Sequence, residues 1–288
     1  MTLTAWTDLG GGVRVRQSRA FWMNSLLLLD PHHTLIVDPG VLPSELDDLA
    51  AVVRAASPKR VTLLFSHGHW DHVLGRPWWP GAASLAHARL AAEVSASEAR
   101  IRREAETIAA KHLEAWPGAF QAFEPDLAIE GERELEFGPW TIVVRDAPGH
   151  CLSQVSAHLP AARLLFASDM LSDIEIPILD GPCATYRRTL ESLVPLFESG
   201  AVETLVPGHG SVAHGAAACT ARLVRDTLYL AMLEAGVREA HTRGRTLEET
   251  QAALEGMDYT GKDAAYSMRD VHHANVRFTA EGFAAASR

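Results

Sequence analysis

Residues 61–72 read VTLLFSHGHWDH. An apolar run, VTLLF, reads as a short buried strand. It then gives way to His67, His69, Asp71 and His72 within six positions. A buried strand is rigid, and the loop that leaves it can turn side chains inward. The segment is therefore either a polar surface loop or one half of a metal site completed from elsewhere in the chain.

Three further strand-like runs end in a possible ligand. WTIVVRDAPGH supplies His150, RLLFASD supplies Asp169, and ETLVPGHG supplies His209. Any one of these alone reads as a hydrogen-bonded turn residue, whereas their coincidence favours a shared site. Five histidines and two aspartates form a suitable donor set for two borderline divalent ions, since imidazole suits zinc or iron and a carboxylate can bridge. Residues two apart in an extended segment project to the same side, so His67 and His69 can grip one ion. Asp71 and His72 then turn toward a second. Gly68, Gly149, Gly208 and Gly210 flank these positions, as tight turns require.

Strand-like runs alternate with helical ones. VRVRQ, MNSLLLLD, TLIVDPG and VTLLFSH precede residue 86, interrupted by the amphipathic stretch PSELDDLAAVVRAA. Residues 88–116 lack Gly and Pro and predict a long helix, broken at most once. Strands return in DLAIEG, RELEF, WTIVVRD, QVSAHLP and RLLF, followed by a helix in TYRRTLESLVPLFES and a last strand in ETLV. No low-complexity linker interrupts the chain. The reading is one α/β domain over residues 1–288, with a core of about 10–213 and a helical C-terminal extension of about 214–288.

Composition excludes some partners. The net charge of -10 argues against nucleic acid, since phosphate backbones need a basic surface. It leaves open small anionic substrates, because a metal pair would make its surroundings locally positive. No apolar stretch approaches the ~20 residues of a membrane span, and the N-terminus lacks an export pattern, so a cytoplasmic location is the default. Cys151, Cys183 and Cys219 are too widely spaced for a CxxC metal knuckle.

His-x-His-x-Asp-His, followed in order by PGH, SD and PGHG, resembles the metallo-β-lactamase superfamily over about residues 24–210. The resemblance implies a four-layer αββα sandwich with the metals at one edge. It assigns His67, His69 and His150 to a first metal, Asp71, His72 and His209 to a second, and Asp169 as the bridge. It implies two divalent ions, zinc foremost with iron and manganese as alternatives. It also implies a hydrolase in which a metal-bound hydroxide cleaves an ester, lactone, thioester or amide of a small molecule. Asp71 would then be both ligand and catalytic proton carrier. An aspartate at 169 is similar to the glyoxalase II, lactonase and nuclease branches. The acidic charge disfavours the nuclease branch, and no Arg/Lys pair for glutathione stands out in the C-terminal helices. Ser172 replaces the tyrosine that familiar acyl-homoserine lactonases carry. The alternative is a mononuclear iron persulfide dioxygenase, which keeps the equivalents of His67, His69, His72 and Asp169.

Several other residues have a functional and a plain reading. Asp38 in LIVDPG is equally a turn residue or a partner for a ligand histidine. Ser168 reads as a local hydrogen-bonding residue and Cys151 as packing. Trp78, Trp79, Phe21 and Trp22 lean toward packing over a site wall. His272 and His273 lie in a helical tail that could roof the site. In the 88–116 helix, Leu90, Val94, Ile101, Ile108 and Leu113 face either the core or a partner subunit, with core packing the safer reading and a homodimer the alternative.

Overall fold

The computed structural model describes residues 6–257 and 267–286. Its contacts divide into two compact units, residues 1–146 with 153–168, and residues 147–152 with 169–288.

The first unit is built on a seven-stranded sheet in sequence order. Strands β1 (Trp6–Gly10), β2 (Val13–Gln17), β3 (Asn24–Leu28) and β4 (Thr34–Val37) run antiparallel to their neighbours. β5 (Val61–Phe65), β6 (Ala83–His87) and β7 (Leu127–Ile129) then add in parallel. Parallel neighbours need crossover connections, and helices fill them. Helix α1 (Pro43–Ala56) joins β4 to β5, and the short α2 (Trp70–Val73) follows β5. Helix α3 (Leu90–Lys111) follows β6. In β5, Leu63, Leu64 and Phe65 are all at most 1% exposed, as expected of a strand covered on both faces. Each such side chain contributes roughly 1.5–3 kcal/mol of burial.

Helix α3 is continuous but shorter than the 88–116 stretch. Leu113 takes a left-handed φ of 61°, and Trp116 precedes Pro117, a position that disfavours helix. Leu90, Val94, Ile101 and Ile108 are buried in the core beneath the sheet, whereas Leu113 is 86% exposed. The core reading thus holds for four of the five apolar residues. Strands β1 and β6 were not visible in the sequence. The ASLAH of β6 has helix-favouring Ala and Leu, and its parallel pairing with β5 overrides that preference. Strands β8 (Glu132–Phe137), β9 (Trp140–Asp146), β10 (Val155–Leu159) and β11 (Leu164–Phe166) pair antiparallel in order.

Among its described residues, the second unit holds the β12 (Thr204–Val206) and β13 (Ala213–His214) pair and four helices. These are α4 (Cys183–Glu198), α5 (Ala216–Thr242), α6 (Leu247–Leu254) and α7 (Arg269–Ala286). Thr246 and Glu249 form a reciprocal cap on α6. Asn275 of α7 is buried, donating to the carbonyl of Pro177 (2.6 Å) and accepting from Leu179 N–H (2.9 Å). His272 is likewise consumed within the helices, against Tyr229 Oη (2.9 Å) and the carbonyl of Leu254 (3.1 Å). His273 pairs with Glu255. No helix among the described residues is long and apolar enough to cross a membrane.

A half-buried ionic knot ties the β2–β3 turn to α1 and to the segment just after α3. Glu45 accepts from Ser18 Oγ (2.6 Å) and from the backbone of Arg19 (2.9 Å). The Arg19 guanidinium bridges Glu45 (3.2 Å) and Glu114 (2.5 Å), and Glu114 also accepts from Ser44 N–H (2.9 Å). Burial raises the Glu114 pKa, but the Ser44 hydrogen bonds and the Arg19 charge outweigh it and hold the carboxyl below its ordinary value. Such a group stabilises the fold fully above its unfolded pKa and loses that contribution as pH falls through the lower folded value. Glu114→Ala is therefore expected to lower the melting temperature at pH 7 by about 2–4 °C. Its difference from the parent should shrink as the pH is taken below about 4, read by circular dichroism melts across pH.

Candidate metal centre

The first unit contributes the loop after β5. Ser66 ends the strand, His67 and Gly68 follow, and His69 caps α2 in an extended conformation (φ −71°, ψ 152°). Asp71 and His72 then fall in the first turn of that helix, both buried. The imidazole of His67 lies 4.6 Å from that of His69 and 4.1 Å from that of His72, centroid to centroid. His67 and His72 are fully buried and His69 half-buried, and a cation accepting the lone pairs of rings this close would compensate their burial. The donor set fits a divalent metal on that ground.

Asp38 sets the orientation. It lies just beyond β4 with a left-handed φ of 47° and is fully buried. Oδ1 accepts from Ser66 N–H (2.7 Å), while Oδ2 accepts from Ser66 Oγ (2.6 Å) and pairs with His72 Nδ1 (2.8 Å). A carboxylate on Nδ1 fixes the proton there and leaves the Nε2 lone pair for a ligand. Of the two readings of Asp38, the ligand partner is the one realised. Ser168 is a local hydrogen-bonding residue, as expected, donating to Ser66 Oγ (2.9 Å) and lying 3.3 Å from His67 Nδ1.

The second unit contributes His150, Asp169 and His209. Asp169 Oδ2 stands 3.2 Å from His150 Nε2 and 3.5 Å from His209 Nε2. One carboxylate oxygen facing two imidazoles is the arrangement a bridging ligand needs. Gly149, before His150, has φ +145°, and a Cβ there would meet Tyr186 Cα at 2.5 Å, so only glycine fits. The Tyr186 hydroxyl, kept protonated by burial and by nearby Asp226 and Asp169, donates to the Asp169 carbonyl (3.1 Å). Asp226 of α5 accepts from Leu171 N–H (2.8 Å) and steadies the same loop. Neither Tyr186 nor Asp226 was picked out from the sequence, since each sits inside a long helix with no ligand-like motif around it.

Cys183 is not a ready ligand, because burial pushes its thiol up to about 12, and burial also raises Cys219. Ser172 accepts from Ile174 N–H (3.1 Å) and Glu175 N–H (3.2 Å) and so shapes a turn. Trp79 packs in the core, and Trp78 bonds Asp47 Oδ1 (2.7 Å). Phe21 and Trp22 are 37% and 36% exposed, and Phe21 meets Trp70 edge-on at 5.9 Å. The first unit thus offers His67, His69, Asp71 and His72, and the second His150, Asp169 and His209, each set made of residue types able to hold a metal ion.

The family model for the metallo-beta-lactamase superfamily matches residues 23–209. The chain belongs to that superfamily. Its α/β architecture, with two sheets, outer helices and a helical C-terminal region, is the metallo-β-lactamase fold. Acyl-coenzyme A thioesterase MBLAC2 of Bos taurus is 28% identical over 93 residues, 31% of this chain and 33% of that protein. The human protein of that name matches over the same shares. The chain thus spans about a third of the length of these curated relatives. Among solved structures, the sec-alkylsulfatase Pisa1 from Pseudomonas sp. superposes with a TM-score of 0.74 at 13% identity, over 95% of this chain and 50% of that one. A metallo-beta-lactamase from Pontibacter korlensis gives 0.54 at 15% identity, over 76% and 97%. At such identities the likeness is one of fold.

Asp38→Asn tests the orientation of His72. An amide nitrogen in place of Oδ2 would donate toward Nδ1 and shift the imidazole proton to Nε2. Zinc affinity, measured against a competing chromogenic chelator, is expected to fall about 10–100-fold.

Proposed function

We propose that the seven residues form one dinuclear, zinc-dependent hydrolase centre, cleaving the acyl bond of a small thioester or ester. His67, His69 and His150 would hold one ion, and Asp71, His72 and His209 the other, with Asp169 between them. The observation that carries this reading is the pair of complementary half-sites. One has three converging imidazoles with His72 oriented by Asp38, and the other has a carboxylate oxygen shared by His150 and His209. Membership of the superfamily supports it, and the partial similarity to an acyl-coenzyme A thioesterase directs it toward thioesters ahead of lactones and amides.

Divalent ions held by these residues would supply a bound water with its pKa lowered from ~16 to ~7 and polarisation of an acyl oxygen. The chain's own residues do the rest. His72, with Nδ1 held by Asp38, keeps Nε2 turned to the site. Asp71, beside His72 Nε2 at 3.7 Å, holds the attacking water through its carboxylate and then carries the proton toward the leaving thiol or alcohol. Asp169 keeps the two halves at a fixed charge. With two divalent ions bound, the carboxylates of Asp71 and Asp169 would offset about half of their charge, and the remaining positive charge would suit an anionic substrate.

His69→Ala and Asp71→Ala test the reading, with folding checked by circular dichroism. His69→Ala should lose bound metal. Asp71→Ala should lose at least ~100-fold in kcat on short acyl thioesters followed by thiol release. Unchanged turnover and metal content in both would end the proposal. One iron per chain with thiol-dependent oxygen uptake would replace it with the dioxygenase reading.

A further inference from the structure

Gly68 separates two of the donor histidines, and its backbone is held from the side of α3. Its N–H donates to Ser153 Oγ (3.0 Å). The Ser153 hydroxyl in turn donates to Oε2 of Glu93, in the first turn of α3. The carboxylate lies directly against the loop. A Cβ on Gly68 would stand 2.7 Å from Glu93 Oε2 and 3.0 Å from Glu93 Cβ. Contacts of 2.7 Å to a Cβ do not occur, so glycine here makes room for the glutamate. Ser153 is fully buried, and α3 is anchored by Leu90, Val94, Ile101 and Ala105, all 0% exposed. The relay is therefore mounted on a rigid element.

We propose that Glu93, acting through Ser153, is a positioning residue for the His67–Gly68–His69 segment, fixing the peptide so that both imidazoles address one cation. The inference rests on the metal-centre reading above and gives the long helix after β6 a part in it. Two imidazoles that share an ion need the peptide between them held in one orientation. A peptide free to rotate would swing one ring away and weaken the chelate. The bond from a hydroxyl to a carboxylate is of the strong, charge-assisted kind, so Ser153 is held as a fixed acceptor for Gly68 N–H. Outer partners of this sort tune metal affinity about 10–100-fold.

The experiment compares the full-length parent with Glu93→Ala, Glu93→Gln and Ser153→Ala. Zinc affinity is measured against a competing chelator, and backbone amide exchange of residues 66–69 is measured in the metal-free proteins. Glu93→Ala and Ser153→Ala are expected to bind zinc about 10–100-fold more weakly and to exchange faster in that segment. Glu93→Gln keeps an oxygen that can accept from Ser153 and should recover most of the loss. This rescue would not be seen if the residue mattered only for its charge. Should Glu93→Ala fail to fold, the other two variants carry the test. A metal-binding parent whose variants keep zinc affinity within about two-fold and unchanged exchange overturns this inference alone. A parent that takes up no zinc, iron or manganese overturns the metal-centre reading and this inference together.

Discussion

The Asp38 carboxylate is the constraint on which the first half of the site depends. It is fully buried, yet its oxygens are engaged by Ser66 N–H, Ser66 Oγ and His72 Nδ1. A buried carboxylate is tolerable only when compensated in this way. Its backbone N–H donates to Leu64 of β5 (3.0 Å) and its carbonyl accepts from Ser25 of β3 (2.6 Å). One residue therefore joins the ends of three strands to the first turn of α2. The left-handed φ of 47° aims the side chain across to β5, and costs about 1–3 kcal/mol that the surrounding bonds must outweigh.

The same logic recurs around Asp169. Ser168 and Leu171, neither of them glycine, adopt φ values of 53° and 59° on either side of it. In the second unit, Tyr186 holds the Asp169 carbonyl and Asp226 holds Leu171 N–H. Backbone strain of this kind persists where the surroundings over-determine it, and functional sites are where it concentrates. Helices α4 and α5 thus do more than cover a sheet, because each sends one polar side chain to brace the loop that carries the carboxylate.

The strands that lead into the donors were legible as short runs, uninterrupted and apolar in VTLLF and RLLF and alternating in WTIVVRD. The donors were legible because each follows such a run. What escaped was whatever depended on distant partners. Strand β6 looks helical until it pairs with β5, and β1 pairs only as an edge strand against β2. The bracing roles of Tyr186 and Asp226 arise from α-helical positions that local pattern reads simply as inward-facing. Asp38 lay between these cases, because Asp-Pro-Gly suits a turn as well as a ligand partner, and only the 2.8 Å contact to His72 separates the two.

Charge around the Asp169 loop is largely balanced locally. The chain carries 36 acidic and 26 basic residues, yet the basic side chains nearest the Asp169 loop are already engaged. Arg222 donates to the Leu171 carbonyl and pairs with Asp173 (3.1 Å), while Arg225 donates to the Ser172 carbonyl. Ser172 accepts from two backbone amides and so shapes the turn that follows Asp169. The charges on this loop thus serve to fix the backbone around Asp169, alongside the braces from Tyr186 and Asp226.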